Sequence, residues 1–164
     1  MYRLFSLLAT TLVLIWPASL WAQSSSELFA ASLVDLQGQA TAINRWQGTP
    51  LIVNFWARWC GPCRQEIPEL IKLRQAYRNK GLEVLGIALE YRVEPVRDFA
   101  KAYEMDYPVL LAQDKGHALM RSLGNTRMGL PFTVAINRHG KIVLVKIGLI
   151  TGSELDAAAE AVLR

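Results

Sequence analysis

The sequence predicts a single α/β domain built on a central mixed sheet, and two observations support this fold class. Apolar, strand-like runs at residues 51–56 and 82–89 are each followed by a segment with helical spacing of apolar residues. Such alternation implies parallel strands joined by crossover helices. Residues 132–137 and 141–147 form a second kind of pair, because a short turn joins them and makes them antiparallel.

The first 22 residues have the pattern of a targeting segment. Arg3 precedes an apolar stretch over residues 4–16, which is short for a membrane span. We therefore expect a secretory signal peptide at residues 1–22, cleaved after Ala22. Leu20 is larger than the usual residue at its position before a cleavage site, so an uncleaved anchor is the alternative.

The remaining residues, 23–164, are enough for one domain with a proper core. The 18 basic and 14 acidic residues of the chain are mixed along it, without a basic run. This composition does not predict nucleic-acid binding.

The predicted elements follow in chain order. A polar lead-in at 23–27 precedes a hairpin within 28–43, which turns at the Gln-Gly pair. The buried strand at 51–56 leads into a helix at 61–79, ended by Gly81. The later elements are a strand at 82–89, an amphipathic helix around 96–103, a strand at 107–111, a helix at 116–123, the strand pair at 132–137 and 141–147, and a last helix at 152–163.

Cys60 and Cys63 are the two cysteines of the chain, and they lie where the predicted central strand ends and the next helix begins. The unpaired N–H groups and the dipole of a helix start stabilise a thiolate, which is the nucleophile. Pro62 fits the first turn because it has no N–H to leave unpaired. We expect Cys60 to be the exposed attacking thiol and Cys63, one turn deeper, to resolve the mixed disulfide.

A structural disulfide and a zinc site are the other interpretations of this pair. A bridge across so short a loop would stabilise the fold little. A zinc site needs about four ligands, whereas the chain has no second Cys pair and His117 and His139 lie far away in sequence. Redox chemistry is therefore the favoured interpretation.

Residues 55–63 resemble the active site of the thioredoxin superfamily. Glu66 and Pro68 complete a Cys-x-x-Cys-x-x-Glu-x-Pro pattern that resembles the TlpA/ResA-like thiol-disulfide oxidoreductases. Residues 129–133 resemble the cis-proline loop of that family. The 68 positions from Cys63 to Pro131 exceed the spacing of thioredoxin and fit the extra central insertion of the family.

This resemblance implies a thioredoxin fold: a central mixed β-sheet flanked by helices, with an N-terminal β-hairpin and a central βα insertion. It also implies a cis Leu130–Pro131 bond next to the cysteines, where the backbone of Leu130 pairs with an extended substrate segment. With Leu130 and Pro131, we expect Trp59, Gly61 and Pro62 to form the substrate-binding rim.

Asn54 occupies the place of a buried aspartate that thioredoxin uses in proton transfer, and an asparagine cannot titrate. The resemblance implies Glu66 as the replacement, one helical turn beyond Cys63. A solvent-facing Glu66 that merely complements the helix start is the alternative.

The resulting prediction is an exported, periplasmic reductase of protein disulfides that needs no cofactor and is a monomer. The resemblance implies a membrane thiol electron donor and clients in cytochrome c maturation or metal-site assembly. The alternatives are a disulfide oxidant or isomerase and a non-enzymatic copper-delivery module. A peroxidase is the least favoured, because a Cys-x-x-Cys at a helix start does not match the peroxiredoxin pattern.

Overall fold

The computed structural model describes residues 24–164, so the predicted signal peptide at 1–22 lies outside the described residues. Seven strands and five α-helices occur in this part of the chain. The strands are β1 Ser32–Asp35, β2 Ala40–Ala42, β3 Leu51–Trp56, β4 Glu83–Ala88, β5 Val109–Leu111, β6 Phe132–Ile136 and β7 Ile142–Ile147. The helices are α1 Ser26–Ala30, α2 Gly61–Tyr77, α3 Val93–Ala102, α4 Gly116–Ser122 and α5 Gly152–Leu163. Within residues 24–164, none of these helices has the length and apolar character needed to span a membrane.

All seven strands form one mixed sheet in the order β2-β1-β5-β4-β3-β6-β7. The pairs β3–β4 and β4–β5 are parallel, and the other neighbours are antiparallel. Strand β3 lies inside the sheet and buries all six of its residues, which explains its unbroken apolar sequence. The predicted α/β class is confirmed.

The two faces of the sheet carry separate halves of the core. Ile52 and Trp56 of β3 pack on the side that also holds buried residues of α2 and α5. Val53 and Phe55 point to the opposite side, against buried residues of α1 and α4. This alternation follows from the two-residue period of a strand. The predicted central insertion lies between β4 and β6, where α3, β5 and α4 occur.

The start of the domain differs from the prediction. Ser26 and Glu27, expected in a polar lead-in, begin the short helix α1, and this helix buries Leu28 and Phe29. The hairpin is therefore confined to β1 and β2. At the other end of the active-site helix, α2 stops at Tyr77, and a 3-10 turn leads to Gly81 at φ +87°. A left-handed backbone is favourable for glycine, which is why the chain reverses there.

Candidate active site

The two cysteines form a disulfide where β3 gives way to α2. The N–H of Cys60 donates to the carbonyl oxygen of Ala57 over 3.1 Å, which closes the turn between strand and helix. Cys60 is the N-cap of α2, and its Sγ accepts a hydrogen bond of 3.3 Å from the N–H of Cys63. The helix start therefore directs an N–H donor at the Cys60 sulfur, which would stabilise a thiolate there.

Accessibility distinguishes the two cysteines only slightly. Cys60 exposes 6% of its surface and Cys63 exposes none. Cys60 is thus the more accessible of the two cysteines, as expected. It is not an exposed residue, however, because most of its surface is covered. Trp59 is 71% exposed and Pro62 is also exposed, so both lie on the surface beside the covered disulfide.

The proline loop lies at the same end of the sheet as the cysteines. Strand β6 runs antiparallel to β3 and pairs Phe132 with Phe55, so β6 begins where β3 ends. The Leu130–Pro131 peptide bond that precedes it is cis, as expected. The carbonyl oxygen of Pro131 accepts a hydrogen bond of 2.8 Å from the N–H of Gly148, and Leu130 packs against the buried cluster that includes the cysteines.

Glu66 lies inside the protein, with 1% of its surface exposed. Asn54 Nδ2 donates to Glu66 Oε1 over 2.6 Å, and the N–H of Ile150 donates to Glu66 Oε2 over 3.2 Å. Asn54 Nδ2 also donates to Thr133 Oγ1 over 3.0 Å. The interpretation of Glu66 as a solvent-facing residue is therefore wrong.

The surroundings of Glu66 raise its proton affinity. Burial raises the pKa of Glu66 from 4.5 to about 7, and the hydrogen bonds from Ile150 and Asn54 oppose this rise only in part. A carboxyl group with such a pKa can both accept and release a proton near neutral pH.

Two polar side chains that the sequence did not single out hold the loops beside the cysteines. Asn125 is fully buried, donates to the carbonyl oxygen of Gly129 over 2.8 Å and accepts from the N–H of Gly129 over 3.2 Å. Glu90 accepts from the N–H of Arg58 over 3.1 Å and also pairs with its guanidinium group. Glu90 lies 32 positions from Arg58, and no local sequence signal marks that contact, whereas Asn125 binds a residue four positions away.

The histidines lie away from this site, since His117 on α4 and His139 in the turn before β7 are both exposed. Residues 24–164 contain no group of three or more His, Cys, Asp or Glu side chains that could hold a metal ion.

Comparison with known proteins gives consistent matches over most of the chain. The Redoxin family model matches residues 23–163. The thiol-disulfide oxidoreductase ResA of Halalkalibacterium halodurans is 30% identical over 130 residues, which cover 79% of this chain and 72% of that protein. The thioredoxin-like protein YneN of Bacillus subtilis is 31% identical over 128 residues, covering 76% and 72%.

Solved structures agree with these sequence matches. A thiol:disulfide interchange protein of the thioredoxin family from Chlorobium tepidum superposes with a TM-score of 0.69 at 27% identity. The match covers 82% of this chain and 93% of that protein. The expected thioredoxin fold is confirmed.

Proposed function

This chain belongs to the Redoxin family and is a ResA-like protein thiol-disulfide oxidoreductase, and we propose that it works as an exported reductase of protein disulfides. The observation that carries the proposal is the Cys60–Cys63 disulfide at the start of α2, beside the cis Leu130–Pro131 loop. In the reduced protein the same two sulfurs hold the two electrons that the reaction delivers.

Reduction of a client proceeds in two exchanges. The Cys60 thiolate attacks one sulfur of the client disulfide, so the client bond breaks, one client thiolate leaves and a mixed disulfide forms. The Cys63 thiolate then attacks the Cys60 sulfur and releases the second client thiolate. Both electrons now reside on the client, and the Cys60–Cys63 disulfide remains to be reduced again by a membrane thiol donor.

Glu66 acts in this scheme as the proton acceptor for Cys63. Its buried position one turn after Cys63 and its pKa of about 7 support the role, because Cys63 is fully buried and has no direct access to solvent water. Trp59, Gly61 and Pro62 form the rim that the client contacts, and the backbone of Leu130 pairs with an extended client segment.

The direction of electron flow and the clients complete the proposal. Gly-Pro is the dipeptide that thioredoxin has between its cysteines, which favours reduction over oxidation. We expect the clients to be exported proteins with disulfides to be opened, namely apocytochrome c or proteins of metal-site assembly. The redox potential of the Cys60–Cys63 pair decides between reductase and oxidant.

Cysteine variants test the assignment of the two thiols. With a chemical reductant present, the protein lacking residues 1–22 should reduce insulin disulfides, and Cys60→Ser should abolish this activity. Cys63→Ser should instead accumulate mixed disulfides through Cys60, since attack survives and resolution does not. Mass spectrometry of trapped adducts reads out the result. Trapping by Cys60→Ser in place of Cys63→Ser would reverse the assignment.

A charge-removing variant tests Glu66. In the reduced protein, Glu66→Gln removes a negative charge near the thiols, so the pKa of Cys60 should fall on the order of one unit. Insulin reduction should nevertheless slow, because Cys63 loses its proton acceptor. The pH dependence of Cys60 alkylation by iodoacetamide measures the first effect, with Glu69→Gln on the same helix as the control. Alkylation profiles that coincide with wild type would rule out the role of Glu66.

A further inference from the structure

A glycine in the middle of β4 leaves room for two aromatic side chains. Gly86 pairs with Asn54 of β3 on one side and with Val109 of β5 on the other. A Cβ atom at Gly86 would lie 3.0 Å from Tyr107 Cε2 and 3.2 Å from Trp56 Nε1. Glycine at this position therefore leaves room for both aromatic side chains over β4, next to the position that pairs with Asn54.

Three buried polar atoms on the residues around Gly86 have no hydrogen-bond partner among residues 24–164. They are the Tyr107 hydroxyl, Trp56 Nε1 and Asn54 Oδ1. Trp56 and Asn54 are fully buried, and Tyr107 is almost so. Buried polar atoms in proteins are nearly always hydrogen-bonded to protein or to ordered water, so three such atoms around one glycine indicate an internal water rather than ordinary apolar packing.

Two segments contribute ionisable groups to this part of the core. On α2 they are Glu66 itself and, one and two turns earlier, Cys63 and Cys60. From the segment before β5 comes Tyr107, whose neighbour Asp106 lies at the surface and faces Arg74 over 3.7 Å.

The remaining contacts of Glu66 are made by groups that do not titrate. Strand β3 contributes the amide of Asn54, β6 contributes the hydroxyl of Thr133 through that amide, and the segment before α5 contributes the N–H of Ile150. Tyr107 is thus the ionisable group that approaches Glu66 from the sheet.

Tyr107 stays protonated over the whole pH range in which the protein is folded and active. Burial raises its pKa far above the usual value, and the negative charges of Glu66 and then Asp106 add to this effect. Its hydroxyl is therefore a permanent hydrogen-bond donor located within the electrostatic reach of the Glu66 carboxylate.

We propose that Tyr107 is a positioning residue for proton transfer at Glu66. Its hydroxyl donates through an internal water to Asn54 Oδ1, whose amide in turn donates to Glu66 Oε1, and so favours the carboxylate form of Glu66. The proposal rests on the role of Glu66 given under the proposed function. A phenylalanine would fill the space beside Gly86 equally well, so packing alone does not require the hydroxyl.

The test replaces Tyr107 by Phe and follows Glu66 in the reduced protein. Loss of a hydrogen bond to the charged form should raise the pKa of Glu66 by about one unit. Carboxyl-carbon NMR of the Glu66 side chain measures this pKa directly, and the pH profile of insulin reduction should move in the same direction. Tyr103→Phe is the matched control, because Tyr103 stacks on Phe99 in the same aromatic group but lies farther out.

A second variant protects the test against a folding defect of Tyr107→Phe. Site-specific 3-fluorotyrosine at position 107 keeps the shape and makes the hydroxyl a stronger donor, so the pKa of Glu66 should move downward. Opposite shifts in the two variants support the proposal.

The outcomes separate this proposal from the one on which it rests. If Glu66→Gln leaves the pH profile of wild type unchanged, the role of Glu66 fails and the role of Tyr107 fails with it. If Glu66→Gln changes the profile but neither Tyr107 variant moves the pKa of Glu66, only the role of Tyr107 is overturned. A loss of stability in Tyr107→Phe without a shift in the pKa of Glu66 likewise identifies a merely structural hydroxyl.

Discussion

At the scale of single residues, Glu66 couples the stability of the protein to pH. Its pKa is about 7 in the folded protein and near 4.5 in an unfolded chain. Between these values the folded state binds the proton and the unfolded state releases it, so stability falls as pH rises from about 4.5 to about 7. Because of this group, the free energy of unfolding at pH 8 is lower than that at pH 4 by on the order of 3 kcal/mol.

Glu66→Gln should remove this component of the pH dependence. In the oxidised protein, the free energy of unfolding of wild type should fall relative to that of Glu66→Gln as pH rises, and most of the change should lie below pH 7. Urea unfolding at several pH values measures the difference. The exposed Glu94 supplies the control, since Glu94→Gln should follow wild type. A constant difference between wild type and Glu66→Gln would contradict the raised pKa.

Local sequence reveals these residues only in part. The spacing of Cys60, Cys63 and Glu66 along one helix could be read directly from the sequence. The contact between Asn54 and Thr133 spans 79 positions, and that between Glu66 and Ile150 spans 84. Such contacts depend on strand pairing and on how α5 packs, so the burial of Glu66 could not be predicted.

At the scale of elements, the loop before the cis-proline depends on Asn125. This side chain makes two hydrogen bonds to the backbone of Gly129. Met128, which directly precedes Gly129, adopts φ +56°, a backbone conformation that is unfavourable for a residue with a side chain. Asn125→Ala should therefore cost about 1–3 kcal/mol of stability, because buried backbone groups lose their partners. It should also lower kcat/KM for insulin reduction several-fold by loosening the loop at Leu130–Pro131.

The pH profile of Cys60 alkylation provides a control for this prediction. Asn125→Ala should leave the pH profile of Cys60 alkylation unchanged, since the loop acts on the client and not on the sulfur. Asn79→Ala, at an exposed position after α2, should change neither stability nor kcat/KM. An alkylation profile that shifts in Asn125→Ala would show that the loop acts on Cys60 instead.

Elements with a strong repeating pattern were predictable, and α1 was not. The final helix buries Leu155, Ala158, Ala159 and Val162, and these positions follow the helical period. Helix α1 has five residues, too few to show a period, and its N-cap Ser25 makes no side-chain capping bond. Its serine-rich start is therefore typical of a linker, and only its packing against the core shows that the segment is part of the fold.

At the scale of the whole molecule, the sequence predicts which strands are parallel but not their full order. Alternation of strands and helices indicates β3, β4 and β5 as parallel neighbours, and this is confirmed. The antiparallel pairing of β1 with β5 joins segments about 75 positions apart. Neither β1 nor β5 carries a signal for the other, because strand pairing is set by the shared core.

The completeness of α1 bears on where an exported form could begin. A cut after Ala22 leaves α1 intact. This helix carries Leu28 and Phe29, which belong to the buried core. We expect a fusion of residues 1–30 to a reporter active only outside the cytosol to be active. N-terminal sequencing of the exported protein should begin at Gln23, and an intact Met1 on membrane-bound protein would indicate an anchor instead.

Shortened chains test the same boundary in the folded protein. The chain of residues 23–164 should unfold at the same urea concentration as the protein purified after export. The chain of residues 31–164 lacks Leu28 and Phe29, and losing either core side chain alone costs about 2–5 kcal/mol, so most of a typical domain's stability should disappear. Glu27→Ala, an exposed change within α1, should have almost no effect. Equal stability of the chains starting at 23 and 31 would show that α1 lies outside the cooperative fold.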